Sequence, residues 1–403
     1  MERRGAGLFK KAASAILFNA TSIPLSMTKV KEAVVALLKR ADVRINGLKK
    51  RDIRVIDKRL YRRVLTGGSL ALGEAYMDGW WYANHLDVFF AKVLRAKLDR
   101  SIRTWKFLRV YLAAKLFNRQ RFRKAFHIGK HHYDIGNELY EKMLGKHMQY
   151  SCAYWKRAKT LVQAQKAKLD LICRKLQLKP GMTLLDIGCG WGGLLEYAAK
   201  KYKITGVGIT VSKEQAKVAR KRCKNLPVKI FMKDYRELNQ EFDRVVSVGM
   251  IEHVGPKNYR TYMKVAHRCL KQYGLFLLHT IGGNKSVDTT EPWIDTYIFP
   301  GGVIPSAKQL MKATEKLFVL EDWHNFGPHY DKTLMAWHKN FVEAWPKLRK
   351  VKDATGNQKY DVRFFRMWTY YLLSCAGSFR ARKNQVWQLV LSKGCLPSYE
   401  SIR

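Results

Sequence analysis

Acidic residues are scarce in this chain: 32 Asp and Glu stand against 76 Lys and Arg, leaving a formal charge of +44 over 403 residues. A balance this one-sided brings forward large anionic partners, either nucleic acid or the face of an acidic membrane. Proline is sparse too, at 10, and there is no Gly/Ser or Pro linker and no internal repeat, which excludes low-complexity and tandem-repeat chains. The seven cysteines never form CxxC and never pair with His at zinc-finger spacing. That excludes a disulfide framework and structural zinc, predicts no metal site, and points to a reducing, cytoplasmic compartment. Long hydrophobic runs are missing as well. The uncharged stretch AASAILFNATSIPLSMT (12–28) falls short of the roughly 20 apolar residues that span a bilayer. Its apolar core AILF is too short for a secretory signal, and no small-x-small cleavage site follows.

What is present, 47% hydrophobic and 12% aromatic residues, supplies a real core. At about 100 to 200 residues per domain, the length allows two or three domains. Basic charge is concentrated at the start, where residues 1–130 hold 30 Lys and Arg against 9 acids. Within it, 101–130 (SIRTWKFLRVYLAAKLFNRQRFRKAFHIGK) has nine basic residues, no acid and interleaved aromatics. Trp105, Leu108, Leu112 and Leu116 fall on one helical stripe with Arg109 beside it, a pattern that suits a side chain snorkelling at a membrane interface. The same periodicity also suits an ordinary helix packed on its domain. We expect a basic extension over 1–40, a helical, lipid-associated domain over 41–120, and a catalytic domain over 121–403.

From 161 to 274 helices and strands alternate: a helix from Leu161, the strand TLLDIG, the helix GGLLEYAAKKY, the strand ITGVGIT, the helix KEQAKVARKRCK, then VKIFM, RVVSVG, another helix and GLFLLHT. Such alternation predicts βαβ units around a mainly parallel sheet, whose ligands bind beyond the C-terminal strand ends. The turn LLDIGCGWGG places Asp186, Gly188, Gly190, Gly192 and Gly193 between the first strand and its helix. Glycines there let the backbone turn sharply and approach a bulky ligand. The spacing is GxGxGG behind an acid, not the pyrophosphate-binding GxGxxG, so it reads as a nucleoside site for S-adenosylmethionine, with the acid answering the methionine amine. The fold class expected is therefore α/β, the class I S-adenosylmethionine-dependent methyltransferase fold, with a smaller, mainly helical N-terminal domain. Its usual acid at the end of the second strand is missing, and Thr210 or Gln215 is expected to hydrogen-bond the ribose instead.

At the same sheet edge lie GMIEHVGPKNY and LLHTIGG, placing Glu252 to bind a positive or polarised group and His279 to donate or shuttle protons. Taken together, HYDIGNELY, MQYSCAYW, LLDIGCGWGG, SVGMIEHVGPKNY, LLHTIG, EDWHNFGPHYDKTLMAW and YYLLSCAGSFRAR resemble the cyclopropane-fatty-acyl-phospholipid synthase family, and the resemblance runs over about 43–382. GSLALGEAYMDGWW looks like the extra N-terminal domain of the bacterial phospholipid enzymes, which the shorter mycolic-acid enzymes lack. The first 40 or so residues and the strongly basic charge depart from the family pattern.

The resemblance implies methylene transfer from S-adenosylmethionine to a cis double bond of an acyl chain. It passes through a carbocation that a bound bicarbonate deprotonates. Carried onto matching positions, the bicarbonate ligands are Cys152, Glu252, His279, Tyr330 and the backbone N–H of Ile281. The cofactor contacts are Tyr150, Ser151, Asp186, Gly188, Gly190, Gly192, Thr210, Gln215, Tyr235 and Arg236. Cys375 matches a cysteine counted as an active-site nucleophile in the family. The chemistry needs no thiolate attack, so Cys375 reads better as a small wall residue. The resemblance also implies a homodimer, while the basic, aromatic-bearing first 130 residues lead us to expect peripheral attachment to the inner face of an anionic phospholipid membrane. Two other readings compete. One is a same-fold lipid C-methyltransferase that leaves a methyl-branched or methylene product. The other is an RNA-binding protein or methyltransferase, invited by the charge but lacking an RNA-recognition motif.

Overall fold

A computed structural model describes residues 27–100 and 135–403. The 101–130 stripe and the expected domain boundary near 120 lie outside the described residues. The N-terminal segment comprises α1 (Met27–Arg40), β1 (Arg54–Val55), α2 (Leu60–Met77), β2 (Trp81–Tyr82) and α3 (Leu86–Arg95). After α4 (Asn137–Leu144) and α5 (Leu161–Lys175) comes the alternating region: β3 (Thr183–Ile187), α6 (Gly193–Tyr202), β4 (Thr205–Thr210), α7 (Lys213–Arg222), β5 (Val228–Met232), β6 (Phe242–Val248), α8 (Tyr259–Arg268) and β7 (Leu270–Gly283). The chain closes with α9 (Pro292–Tyr297), α10 (Ala307–Thr314), β8 (Val319–Asn325), α11 (Pro328–Leu348), α12 (Val362–Arg380) and β9 (Asn384–Ser392).

Seven strands form one sheet in the order β5-β4-β3-β6-β7-β9-β8. The first five are parallel, and β9 runs antiparallel to both β7 and β8. The expected βαβ strands are all present, near the sequence boundaries. The alternation did not reach β8 and β9, which close the far edge. Strand order reverses at β3, which lies between β4 and β6, so a crevice opens at the C-terminal ends of these strands.

Fully buried apolar side chains of β3, β6, β7 and β9 make the sheet continuous with the layers on both faces. A further core joins the N-terminal segment to the C-terminal helices, with Trp81, Phe89, Trp293, Trp337 and Trp368 all inside it. The motif around residue 377 explains that junction. A Cβ at Gly377 would sit 2.6 Å from the Asp87 carbonyl and from Phe90 Cβ, so only glycine lets α12 approach α3 this closely. One turn on, Arg380 bonds Asp331 of α11 through two nitrogens, each at 2.9 Å, and Asp87 of α3 through a third. One guanidinium fork thus ties three helices together. Among the described residues, no helix is long and apolar enough to cross a membrane.

Candidate active site

The crevice at the switch point is a pocket lined by Tyr150, Ser151, Asp186, Gly188, Gly190, Thr210, Gln215, Tyr235 and Arg236. Every expected cofactor residue except Gly192 is in that lining. Gly192 instead turns the chain into α6 at φ 78°, and a Cβ there would press on Ala219 of α7 at 3.1 Å, so its part is in helix packing. Gly190, at φ 53°, has open space where a Cβ would stand, so the turn leaves room on the pocket side. Trp191 is held above the turn by its indole N–H, which donates to Asn137 Oδ1 at 3.1 Å. The 135–140 part of the HYDIGNELY motif, IGNELY, is anchored in turn by Glu138, which receives Lys359 at 2.6 Å and the Tyr360 hydroxyl at 2.8 Å.

Thr210 and Gln215 meet each other at the end of β4, the Thr hydroxyl donating to Gln215 Oε1 at 2.8 Å. Asp234 caps the following turn and holds Arg236 by two nitrogens at 2.7 and 2.9 Å, which fixes the Tyr235-Arg236 wall. Asp186 is fully buried at the end of β3, and burial pushes its carboxyl up to about 7. Among the described residues its Oδ1 has no hydrogen-bond partner, an orphaned acceptor in the pocket lining.

Of the predicted chemical residues, Glu252, Cys152 and Cys375 gather around Tyr330, and His279 stands on β7 two residues before Ile281. Glu252 is buried, burial raises it to about 6, and its Oε1 accepts the Ile281 N–H at 2.8 Å. Its Oε2 is buried without a partner. Tyr330 lies within electrostatic reach of Cys152, Tyr150, Glu252 and Cys375. Burial raises the Tyr330 hydroxyl and the Cys152 thiol well above their ordinary values, so both stay protonated. His279, on β7, is pushed the other way by burial and stays neutral. The side-chain amide of Gln388 on β9 pairs with His279 Nδ1 at 3.2 Å, which fixes the orientation of the ring. Cys375 is part of the same wall. Its thiol is raised to about 12 by burial, a protonated group rather than a nucleophile. Aromatic rings enclose the space: Tyr150 and Trp337 are 5.4 Å apart and Tyr330 and Trp337 5.8 Å.

Sequence reasoning missed Lys168. This ammonium is fully buried on α5, donates to Gln149 Oε1 and, at 3.0 Å, to Ser151 Oγ, and forms no ion pair among the described residues. It lies within electrostatic reach of both Asp186 and Cys152, and burial lowers it to about 8. Lys168 therefore fixes the strip that carries Tyr150, Ser151 and Cys152. The signal was available: LVQAQKAKLDLICRK places Lys168 on the stripe of Ala164, Leu171 and Ile172, all of them buried. Thr333 was missed as well, and it accepts the Ala153 N–H at 3.1 Å and the Trp155 indole N–H at 2.9 Å, steadying the same strip.

Residues 120–389 match the family described as mycolic acid cyclopropane synthetase. The chain is 54% identical over 359 residues to cyclopropane-fatty-acyl-phospholipid synthase of Escherichia coli strain K12, covering 89% of this chain and 92% of that one. It is 35% identical over 282 residues to cyclopropane mycolic acid synthase 1 of Mycobacterium tuberculosis, covering 65% and 95%. Among solved structures, mycolic acid cyclopropane synthase CmaA1 complexed with SAH and CTAB aligns with a TM-score of 0.60 at 32% identity, over 66% of this chain and 98% of that one. Coclaurine N-methyltransferase aligns at 0.63 over 80% of this chain and 98% of that one, but at 22% identity it speaks to the fold alone. Identity at this level, carried over most of both chains, makes the chain a member of the mycolic acid cyclopropane synthetase family and an S-adenosylmethionine-dependent methyltransferase in kind.

Proposed function

We propose that the protein transfers a methylene group from S-adenosylmethionine to the cis double bond of unsaturated acyl chains in membrane phospholipids, forming cyclopropanes. The observation that carries this reading is the joining of two parts: a pocket with an orphaned buried acid and a Gly-lined turn, and next to its Tyr150 wall a buried, aromatic-rich cluster of Glu252, Tyr330 and Cys152.

In this reading Asp186 Oδ1 receives the methionine amine, Thr210 and Gln215 receive the ribose, and Tyr235 and Arg236 close the base end. Burial of the sulfonium methyl beside Tyr150 excludes water, which would otherwise take the methyl or the cation. The alkene π pair forms the new C–C bond as the C–S bond breaks, and that pair leaves with sulfur. The positive charge left on the neighbouring carbon sits among the rings of Tyr150, Tyr330 and Trp337, whose faces stabilise a cation. Loss of a proton from the new methyl then lets its C–H electrons close the ring.

The cluster's donor set fits a bicarbonate. The neutral His279 ring and the Tyr330 hydroxyl each carry a proton to donate, and the Cys152 thiol is a further protonated group that in this structure donates to the Ala153 carbonyl. Glu252 Oε2 is an acceptor without a partner among the described residues, suited to the hydroxyl of HCO3⁻. The chemistry such an ion would supply is a base for the departing proton, stabilised late in the reaction by these donors. The Ile281 N–H is bonded to Glu252 in this structure, so its part runs through orienting that carboxylate. Peripheral attachment to the inner face of an acidic membrane and homodimerisation complete the proposal. The test is purified protein with labelled S-adenosylmethionine and unsaturated phospholipid vesicles, with RNA as the competing acceptor. Label in acyl chains supports the reading, and label in RNA alone overturns it.

A further inference from the structure

The segment between α1 and α2 has no part in the chemistry above, yet it is tightly built. The Asp52 carboxylate accepts the backbone N–H groups of Arg44 and Lys49, both at 2.9 Å. Asn46 Oδ1 accepts the Val55 N–H at 3.1 Å, and the backbone bridges Ile45 to Ile53. A Cβ at Gly47 would meet Asp52 Oδ2 at 2.3 Å, so glycine is required at the tip. This rigid loop holds Leu48 out with 93% of its surface exposed, and Ile56, at the loop's far end, is 66% exposed.

The charges on the same loop are equally one-sided. All three acids are engaged locally: Asp52 by the backbone, Asp42 by Arg51 and Asp57 by Arg59. Arg44, Lys49, Lys50 and Arg54 form no ion pair among the described residues. A single exposed leucine is ordinary on a protein surface. A leucine fixed at the tip of a braced loop and ringed by unpaired cations is a different matter, because the brace holds apolar and basic groups together.

We propose that the 42–56 loop is a membrane-docking element that sets Leu48 into the interface of an anionic phospholipid bilayer while Arg44, Lys49, Lys50 and Arg54 meet lipid phosphates. The inference rests on the reading that the substrate chains lie in a bilayer. A bilayer fits this tip better than nucleic acid does, since an aliphatic tip finds apolar depth below the phosphates of a membrane, and the 44–54 stretch offers no aromatic ring on which a base could stack. Through α2 and α3, which pack on α12, the loop is tied to the helix that carries Cys375. A docked loop therefore holds the cluster near its substrate.

The test is sedimentation of the full chain with vesicles of unsaturated phosphatidylglycerol and phosphatidylethanolamine at low salt. Leu48→Ser is expected to weaken binding roughly tenfold. The pair Lys49→Glu with Lys50→Glu is expected to weaken it at least roughly thirtyfold and to flatten its salt dependence. Both variants keep the parent's turnover of the same lipid dispersed in neutral detergent. Sedimentation of both variants like the parent overturns the proposal, as does equal binding of the parent to phosphatidylcholine vesicles. Absence of turnover on dispersed lipid by the parent itself overturns the methylene-transfer reading instead, so the two failures are distinguishable.

Discussion

Two carboxylates, Asp186 and Glu252, sit where water does not reach, and that placement sets both chemistry and cost. For Glu252 burial raises the folded value to about 6 from 4.5. The folded chain then holds the proton more tightly than the unfolded one. The group's contribution to stability is full below pH 4.5 and is lost as pH rises through about 6. Glu252→Gln is therefore expected to be more stable than the parent at neutral pH, by on the order of 2 kcal/mol, with the gain vanishing toward pH 4 in thermal melts. The same variant is expected to lose at least about a hundredfold in turnover, a loss of the size seen when a transition-state electrostatic group is removed. A Glu252→Gln enzyme with parental turnover and unaltered bicarbonate dependence contradicts the role assigned. Lys168→Met removes a buried cation and frees the 149–152 strip. It is expected to raise the KM for S-adenosylmethionine as well as to lower kcat, with Lys168→Arg recovering less than full activity because the burial leaves no room for a larger head. At this scale the short motifs of the sequence named residues that line the pocket and the buried cluster around Tyr330. It was silent on those acting across the fold, such as Gln388 on His279, because that contact is made by a strand pairing 109 positions apart.

Elements explain why two glycines of the β3–β4 unit behave differently. Gly190 has φ 53° and nothing within 4 Å of a Cβ, whereas a Cβ at Gly208 on β4 would meet Leu195 at 2.7 Å and Cys189 at 2.9 Å. Gly190→Ala costs roughly 1 to 2 kcal/mol of left-handed strain and places a methyl on the pocket side. Gly208→Ala forces the β4 and α6 side chains apart at roughly 1 to 3 kcal/mol. Calorimetry with S-adenosylhomocysteine is expected to show the larger affinity loss in Gly190→Ala, and chemical unfolding the larger stability loss in Gly208→Ala. The reverse order contradicts this division between site and packing. The βαβ run was legible because glycines and caps punctuate it: Ser212 caps α7, and Thr160 with Gln163 boxes the start of α5. The edge strand β8 and its neighbour β9 were not, since EDWHN reads as polar loop and its pairing depends on the distant NQVWQLVLS.

Over the whole molecule the charge of +44 acts with the membrane reading rather than with the fold. The basic 101–130 stretch is expected to add to bilayer attraction, about 1 kcal/mol for each surface-proximal cation on anionic lipid. Replacing Arg119, Arg121, Arg123 and Lys124 with Gln is expected to weaken vesicle sedimentation and its salt dependence while leaving S-adenosylmethionine binding intact. Unchanged sedimentation would assign those charges to another partner. The central claim is the chemistry, and mass spectrometry of phospholipids recovered after incubation with the purified protein and S-adenosylmethionine tests it most directly. Each modified acyl chain is expected to gain the mass of one CH2 per double bond, to resist ozonolysis because the alkene is gone, and to show the ring protons of a cyclopropane by NMR. Conversion of S-adenosylmethionine with no acyl mass gain, or a CH2 gain in chains that ozone still cleaves, would contradict it.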